Sequence, residues 1–190
     1  MSAVLRQEEA PFRDVDGALK FYCNFQYEAY ERTGLAQMAS GPSPNGKGLA
    51  GLDGAATCGI IGVHLSTIPQ LWRRILIARY SPRAKECVCG NLCCQGHRPN
   101  PMWQAEIIWI AESVLLALTG TVSNARLRKG IVLKHFGQRV KLGELADYCR
   151  VNRDTASDHC HKIVTMLKAE EKSAYAAIDE RLRSVGMVGN

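Results

Sequence analysis

LGELADYCRVNRDTASDHCHKIVTML, residues 142–167, contains two helical patterns joined by a short turn. In its first part the apolar residues stand at positions 142, 145, 146 and 149, which share one face of two helical turns. Asn152 then precedes the second pattern, and its side-chain oxygen can accept a hydrogen bond from the N–H groups of a first helical turn. The stretch therefore predicts a short amphipathic helix, a turn, and a second helix that begins at Arg153.

The second pattern separates a buried face from a polar one. Apolar or small residues recur at spacings of three and four, at Ala156, Cys160, Ile163, Val164 and Leu167, while Arg153, Asp154, Ser157, Asp158, His161 and Lys162 face outward. A polar surface near the start of the second helix, with a small residue such as Ala146 where the helices cross, is typical of a helix-turn-helix nucleic-acid reader. The turn of this motif usually contains glycine, so Arg150 has to adopt its backbone angles without that freedom.

These patterns predict two kinds of DNA contact. Base edges are read by a set that we call the reading face: Arg153, Thr155, Ser157, Asp158, His161 and Lys162. Phosphates are held by Arg139, Lys141 and Arg150, and Asn152 lies on the same surface. Asp154 and Asp158 either accept from cytosine amino groups or indicate that this face meets a protein. A helical hairpin that only packs is the structural alternative.

The overall charge favours a polyanionic partner. Of 190 residues, 24 are Lys or Arg and 18 are Asp or Glu, which gives a net charge of +6. A basic run without acidic residues precedes the two helices and would lie along a phosphate backbone: Arg126, Arg128, Lys129, Lys134, Arg139 and Lys141. No run of 18 apolar residues and no charged-then-apolar leader occurs, so we expect a cytoplasmic protein without a membrane span.

The remaining sequence predicts an all-α fold in three parts. Residues 1–54 hold a helix from Asp14 to about Arg32 and a flexible Gly/Pro-rich loop from Ala39 to Gly54, with residues 1–14 loosely attached. Residues 55–120 form a helical core, in which Arg73 and Arg74 point outward, around a cysteine loop at 81–100. Residues 121–190 form the helix-turn-helix and a C-terminal helix, with Thr121 or Ser123 as the first cap.

The cysteine loop reads CVCGNLCCQGH at residues 87–97. Thiolates and imidazoles are the donors that Zn²⁺ prefers, and a glycine-bearing loop can fold several of them around one ion. The candidates are Cys87, Cys89, Cys93, Cys94 and His97, and our preferred set is Cys87, Cys89, Cys94 and His97 with Cys93 as the exchangeable member. An iron–sulfur cluster and free thiols are the alternatives.

The zinc is expected to be structural. A catalytic ion needs an open coordination position and a nearby base, for which Glu86 and Glu106 are the candidates, but no HExxH or deaminase-like motif is present. A second metal cluster, formed by Cys149, Cys160, His159 and His161, is a weaker alternative because the two cysteines occupy apolar-face positions.

Three segments carry a resemblance to a known family: WRRILIARYSP, CVCGNLCCQGH and LGELADYCRVNRDTASDHCHKIVTMLK. With them, residues 55–182 resemble phage late-gene regulators of the antitermination protein Q type and related prophage helix-turn-helix regulators. The C-terminal segment is also similar to the promoter-reading domain of sigma factors, called region 4. The resemblance implies a small helical protein, encoded by a phage or prophage, that binds promoter DNA and engages RNA polymerase and its sigma factor in the bacterial host. Such a protein loads onto the polymerase, so that the enzyme reads through terminators. Some members carry a cysteine zinc site.

The sequence thus predicts a non-enzymatic, zinc-containing transcription regulator that binds double-stranded DNA. One rival is an interaction module that docks on RNA polymerase without reading bases, and a weaker one is a zinc-dependent enzyme. The tail from Lys168 to Leu182 carries an apolar stripe of Tyr175, Ile178 and Leu182, which fits either a homodimer contact or closure of the core.

Overall fold

The structure is a computed structural model that describes residues 10–31, 52–87, 96–118 and 120–189. These residues are mostly helical, which confirms the predicted all-α class. None of the described helices combines the length and the apolar character needed to cross a membrane. The elements are α1 (Val15–Glu31), α2 (Leu52–Ser66), α3 (Gln70–Tyr80), β1 (Ala84–Glu86), β2 (His97–Pro99), α4 (Pro101–Ala117), α5 (Ala125–His135), α6 (Leu142–Cys149) and α7 (Arg153–Ser184).

The chain divides into two compact units, Met1–Ile68 with Ala176–Asn190, and Pro69–Tyr175. In the first unit α1 packs against α2, and Leu19, Ile61 and Leu65 are fully buried. Ile178 and Leu182 of the tail stripe are also fully buried within the chain, which favours closure of the core over a dimer contact. Most of the predicted Gly/Pro-rich loop lies outside the described residues, and its last three residues already belong to α2.

The residues just before α1 are held in place, contrary to the prediction for residues 10–14. Phe12 is buried and forms a parallel β-bridge with Val188. Its N–H donates to the carbonyl oxygen of Met187 at 3.1 Å, and its own carbonyl oxygen accepts from Gly189 at 2.9 Å. The prediction of loose attachment was wrong here because it relied on local composition, whereas the partner strand comes from the other end of the chain.

In the second unit, α4 packs against both α3 and α5. Its residues Trp103, Ile107, Ile110 and Val114, which recur at spacings of three and four, are buried. The indole Nε1 of Trp103 donates to the carbonyl oxygen of Ala78 at 2.9 Å, so the ring is buried without an unsatisfied donor. This core positions the α5, α6 and α7 segments that the sequence analysis singled out.

A charged cluster joins α3, α5 and α7 in the second unit. Arg79 donates to both carboxylate oxygens of Glu171, and His135 Nε2 lies 3.1 Å from Glu171 Oε2. Burial by itself would raise the pKa of Glu171, but the hydrogen bonds and charges of His135 and Arg79 outweigh it and lower that pKa to about 2. The cluster fixes α7 against the rest of the unit.

The prediction that Arg74 points outward was wrong. Its Nη1 lies 2.8 Å from Glu106 Oε2, and its guanidinium carbon lies 4.6 Å from the centroid of the Trp109 ring. Arg73, also predicted outward, is only partly exposed and its Nε is buried. Long cationic side chains cover apolar surface with their methylene groups, which the sequence spacing alone does not reveal.

Two short antiparallel strands flank the cysteine loop, where the sequence analysis expected no strand. Strand β1 pairs with β2 so that Glu86 stands opposite His97 and Lys85 opposite Arg98. The N–H of Cys87 continues the ladder by donating to the carbonyl oxygen of Gly96 at 2.8 Å. Strands of three residues are too short to produce a readable alternation of apolar and polar residues.

Candidate nucleic-acid interface

Helix α6 packs its predicted apolar face on the core. Ala146 is fully buried, and Leu142, Leu145 and Cys149 are partly buried against the same core. Gly130 of α5 makes the contact close, since a Cβ atom there would lie 2.5 Å from a methyl group of Leu145. Gly130 and Ala146 therefore allow the backbones of α5 and α6 to lie close together, and the side chain of Leu145 packs against Gly130.

The turn after α6 has a left-handed residue. Arg150 has φ 54° and ψ 42°, and it is the one non-glycine residue with a positive φ in the part of the chain that the structure describes. Its N–H donates to the carbonyl oxygen of Asp147 at 3.1 Å, and that of Val151 to Ala146 at 3.0 Å, which closes the C-terminus of α6. This confirms the prediction that Arg150 adopts a conformation that glycine would reach more easily.

Asn152 caps the next helix as predicted. Its side-chain oxygen accepts from the N–H of Asp154 at 2.8 Å, and its backbone carbonyl oxygen accepts from Ala156 at 2.9 Å. Helix α7 begins at Arg153, which is the predicted position. The turn therefore comprises only the three residues between Cys149 and Arg153.

The first turns of α7 separate a buried face from an exposed one. Ala156, Ile163 and Leu167 are fully buried, with Cys160 and Val164 partly buried beside them. All six residues of the reading face and Asp154 are exposed. The predicted face is therefore open to solvent as a continuous polar ridge, and its role in DNA reading stays a prediction.

Two cations of the predicted interface are paired with carboxylates of α6. Arg153 forms a bidentate pair with Asp147, whose shortest distance is 2.6 Å, and Lys141 Nζ lies 2.7 Å from Glu144 Oε1. The hydrogen bond from Arg153 lowers the pKa of Asp147 below its ordinary value. The Lys141 pair is readable as an i,i+3 spacing, but the Arg153 pair crosses the turn and has no such signal. Both pairs were missed by the sequence analysis.

The other predicted phosphate contacts differ in their accessibility. Arg139 and Arg150 are exposed, as are Arg126, Lys129 and Lys134. Arg128 is buried, contrary to its predicted place along a phosphate backbone, and donates to the carbonyl oxygens of Ala111, Val122 and Ser123 at 2.6 to 3.1 Å. A buried guanidinium is tolerated when fixed acceptors satisfy it, and here α4 and the loop before α5 supply them.

The start of α5 is capped by Asn124 and not by Thr121 or Ser123. The side-chain oxygen of Asn124 accepts from the N–H of Leu127 at 3.0 Å, and its Nδ2 donates to the carbonyl oxygen of Cys149 at 3.4 Å. The Ser123 carbonyl oxygen is instead an acceptor for Arg128. One side chain thus connects the start of α5 with the end of α6.

Of the five predicted metal ligands, the structure describes Cys87 and His97, while Cys89, Cys93 and Cys94 lie outside the described residues. The Sγ of Cys87 accepts from Arg98 Nε at 3.2 Å. Since side chains alternate between the two faces of a hairpin, His97 shares a face with Glu86, and Cys87 shares the other face with Arg98. The register thus places the side chains of Cys87 and His97 on opposite faces of the hairpin.

Within the described ranges, no three residues of the types His, Cys, Asp or Glu come together as a metal-binding group. This applies to Cys149, His159, Cys160 and His161, which the structure describes in full. Glu106, the candidate base of a zinc enzyme, is in an ion pair with Arg74.

Comparison of the chain with protein-family models, with curated proteins and with solved structures gives no match.

Proposed function

We propose that this protein is a sequence-specific, double-stranded-DNA-binding transcription regulator whose helix α7 enters the major groove as the second helix of a helix-turn-helix. The observation that carries the proposal is the division of the first turns of α7 into a buried apolar face and a fully exposed reading face. Recognition in the major groove requires exposed hydrogen-bond donors and acceptors on a helix whose opposite face is packed against the rest of the protein.

The connection between α6 and α7 supports this function. A three-residue turn with one left-handed position joins the helices, and Ala146 and Ala156 are both fully buried, as close crossing of the helices requires. Arg139, Lys141 and Arg150 are exposed around this turn and would bind phosphates on either side of the groove. Asp158 of the reading face would accept from a cytosine amino group.

Selection from a random duplex library, followed by fluorescence anisotropy with the selected duplex, tests the proposal. The variant Arg153→Ala/Lys162→Ala should lose about tenfold or more in affinity, because each good base contact contributes about 1–3 kcal/mol. The control Lys20→Ala/Lys168→Ala removes the same charge from exposed positions outside the reading face and should lose much less. Equal losses in the two variants, or failure to enrich any sequence, would remove the assignment of the reading face.

The resemblance to Q-type regulators extends the proposal to transcription antitermination with RNA polymerase and sigma factor. Region 4 of sigma factors, which the C-terminal segment is similar to, reads promoter DNA. Transcription by purified bacterial RNA polymerase across an intrinsic terminator, on a template that carries the selected duplex, measures this directly. Read-through should rise with the native chain and stay at the background level with Arg153→Ala/Lys162→Ala.

We also propose a structural Zn²⁺ site in the cysteine loop, with Cys87, Cys89, Cys93 and Cys94 as ligands and His97, which lies on the opposite face of the hairpin from Cys87, as the alternative ligand. Thiolates form closed tetrahedral zinc sites, and the Arg98 N–H bond to the Cys87 sulfur is an outer contact of the kind that orients a ligand. Atomic emission should find one zinc per chain after gentle purification. Chelation should lower the stability, and a metal-free protein of full stability would refute the site.

A second candidate function is an interaction module that docks on RNA polymerase without reading bases. The pairing of Arg153 with Asp147, together with the exposed Asp154 and Asp158, favours it because these carboxylates repel phosphates. The salt dependence of binding separates the two functions. Phosphate contacts release counterions and give a steep dependence of affinity on salt, whereas a protein interface gives a shallow one.

A further inference from the structure

Tyr148 is a large aromatic side chain that α6 presents to solvent. It is 69% exposed, and the guanidinium carbon of Arg126 lies 5.7 Å from the centroid of its ring. A cation held against an aromatic face reduces the freedom of both side chains before any partner arrives. The binding of a partner here therefore costs less conformational entropy than at an unrestrained tyrosine.

The Tyr148 ring and the reading face lie on different flanks of α6. Asp147 contacts Arg153 and so faces α7, whereas the next residue, Tyr148, contacts Arg126 and so faces α5. Lys129 follows Arg126 by three residues and shares its side of α5. Arg126, Lys129 and Tyr148 form what we call the α5–α6 surface, which leaves the reading face uncovered.

The charge of the α5–α6 surface is positive and uncompensated. The two outward carboxylates of α6, Glu144 and Asp147, are paired with Lys141 and Arg153. Among the described residues no carboxylate pairs with the cations of the α5–α6 surface, which are both exposed. Tyr and Arg at the centre of a contact are also the residue types that contribute most to protein–protein binding.

We propose that the α5–α6 surface docks an acidic segment of a partner protein, with carboxylates on Arg126 and Lys129 and an apolar side chain on the Tyr148 ring. A DNA backbone is the less suitable occupant, since a row of phosphates offers no apolar partner to the exposed ring of Tyr148 at the centre of this surface. A protein partner would bind this surface while α7 lies in a DNA groove. The proposed docking does not depend on whether α7 reads bases.

Nuclear magnetic resonance of the full-length ¹⁵N-labelled chain tests the proposal. The probe is a short synthetic peptide of alternating glutamate and phenylalanine, with a lysine–phenylalanine peptide as the charge control. The acidic peptide should shift amide resonances of α5 and α6 around Arg126, Lys129 and Tyr148, and the basic peptide should not. No shift, or shifts centred on residues 153–162, would overturn the proposal.

Two variants give the second arm of this experiment. Tyr148→Ala and Arg126→Ala should each weaken peptide binding about fivefold or more, whereas Lys168→Ala should leave it unchanged. Binding of the selected duplex is measured on the same samples. If Tyr148→Ala weakens duplex binding and leaves peptide binding intact, the surface belongs to the nucleic-acid interface and the proposal fails. If the native chain binds the peptide but no duplex, only the proposed DNA function fails.

Discussion

The guanidinium of Arg153 forms two hydrogen bonds with the carboxylate of Asp147, with distances of 2.6 Å from Nη2 to Oδ2 and 3.2 Å from Nε to Oδ1. The two side chains are 71% and 58% exposed, so water screens the pair and it exchanges readily. In the free protein, the first cation of the reading face is therefore neutralised by the preceding helix. A phosphate or a base that binds Arg153 through Nε and Nη2 has to displace Asp147 first.

Asp147→Asn should raise the affinity for the selected duplex by about threefold to tenfold, because it frees Arg153 and removes a negative charge near phosphates. Fluorescence anisotropy at two salt concentrations measures the effect, which should be larger at low salt. Asp179→Asn is the matched control, because it breaks the Arg183 ion pair far along α7 and makes the same charge change. A gain of equal size in the control would mean that net charge alone is responsible.

Arg150→Gly should stabilise the protein and weaken DNA binding at once. Glycine reaches φ 54° without a steric penalty, so the free energy of unfolding should increase by about 0.5–1 kcal/mol. The loss of the cation should lower the affinity for the duplex. Arg150→Ala removes the same charge and keeps the strained backbone, so it should weaken binding without any gain in stability. Urea denaturation measures the free energy of unfolding, and fluorescence anisotropy measures the affinity for the duplex. If Arg150→Gly lowered the free energy of unfolding, the backbone at Arg150 would not be strained.

Gly130→Ala should destabilise the protein by about 1–2 kcal/mol, because the new Cβ would lie within 2.7 Å of both methyl groups of Leu145. Truncation of Leu145 should remove most of this cost, so the double variant Gly130→Ala/Leu145→Ala should be less than additive. Gly59→Ala is the control, since a Cβ at Gly59 meets nothing within 4 Å and alanine favours the helix. It should be neutral or stabilising in thermal denaturation.

The cluster at Glu171 predicts a loss of stability in acid. Its pKa is about 2 in the folded protein and 4.5 in a free side chain, so its contribution is complete above pH 4.5 and disappears as the pH falls towards 2. A shift of this size corresponds to at most about 3 kcal/mol. Urea denaturation at several pH values should show that Glu171→Gln is less stable than the native chain near pH 6 and that this difference shrinks below pH 4.5. A difference independent of pH would contradict the assignment.

The parts that could be predicted from the sequence are those that depend on short-range order. The bounds of α6, the start of α7, the Asn152 cap and the exposed reading face all follow from residues within two turns of each other. The separate C-terminal helix that the sequence predicted is instead the continuation of α7, which runs unbroken from Arg153 to Ser184. Helical periodicity and capping chemistry are local, so spacing alone was sufficient to place them.

The parts that could not be predicted depend on long side chains and on distant partners. Arg128 belongs to a basic run in the sequence, yet it reaches back into the unit to carbonyl oxygens that include Ala111, 17 residues earlier. The Arg153–Asp147 pair crosses a turn, and the Arg126–Tyr148 contact joins two helices. Such contacts are set by how helices pack, which the charge pattern of one segment does not encode.

The side-chain amide of Asn124 limits which residues can replace it, because both of its ends form hydrogen bonds. Its oxygen accepts from the first turn of α5 and its nitrogen donates to the last carbonyl oxygen of α6, so one side chain connects the two helices. An aspartate would keep the first bond and lose the second, because it has no donor. Substitution at position 124 should therefore change how α5 and α6 are joined, although this position belongs neither to the reading face nor to the α5–α6 surface.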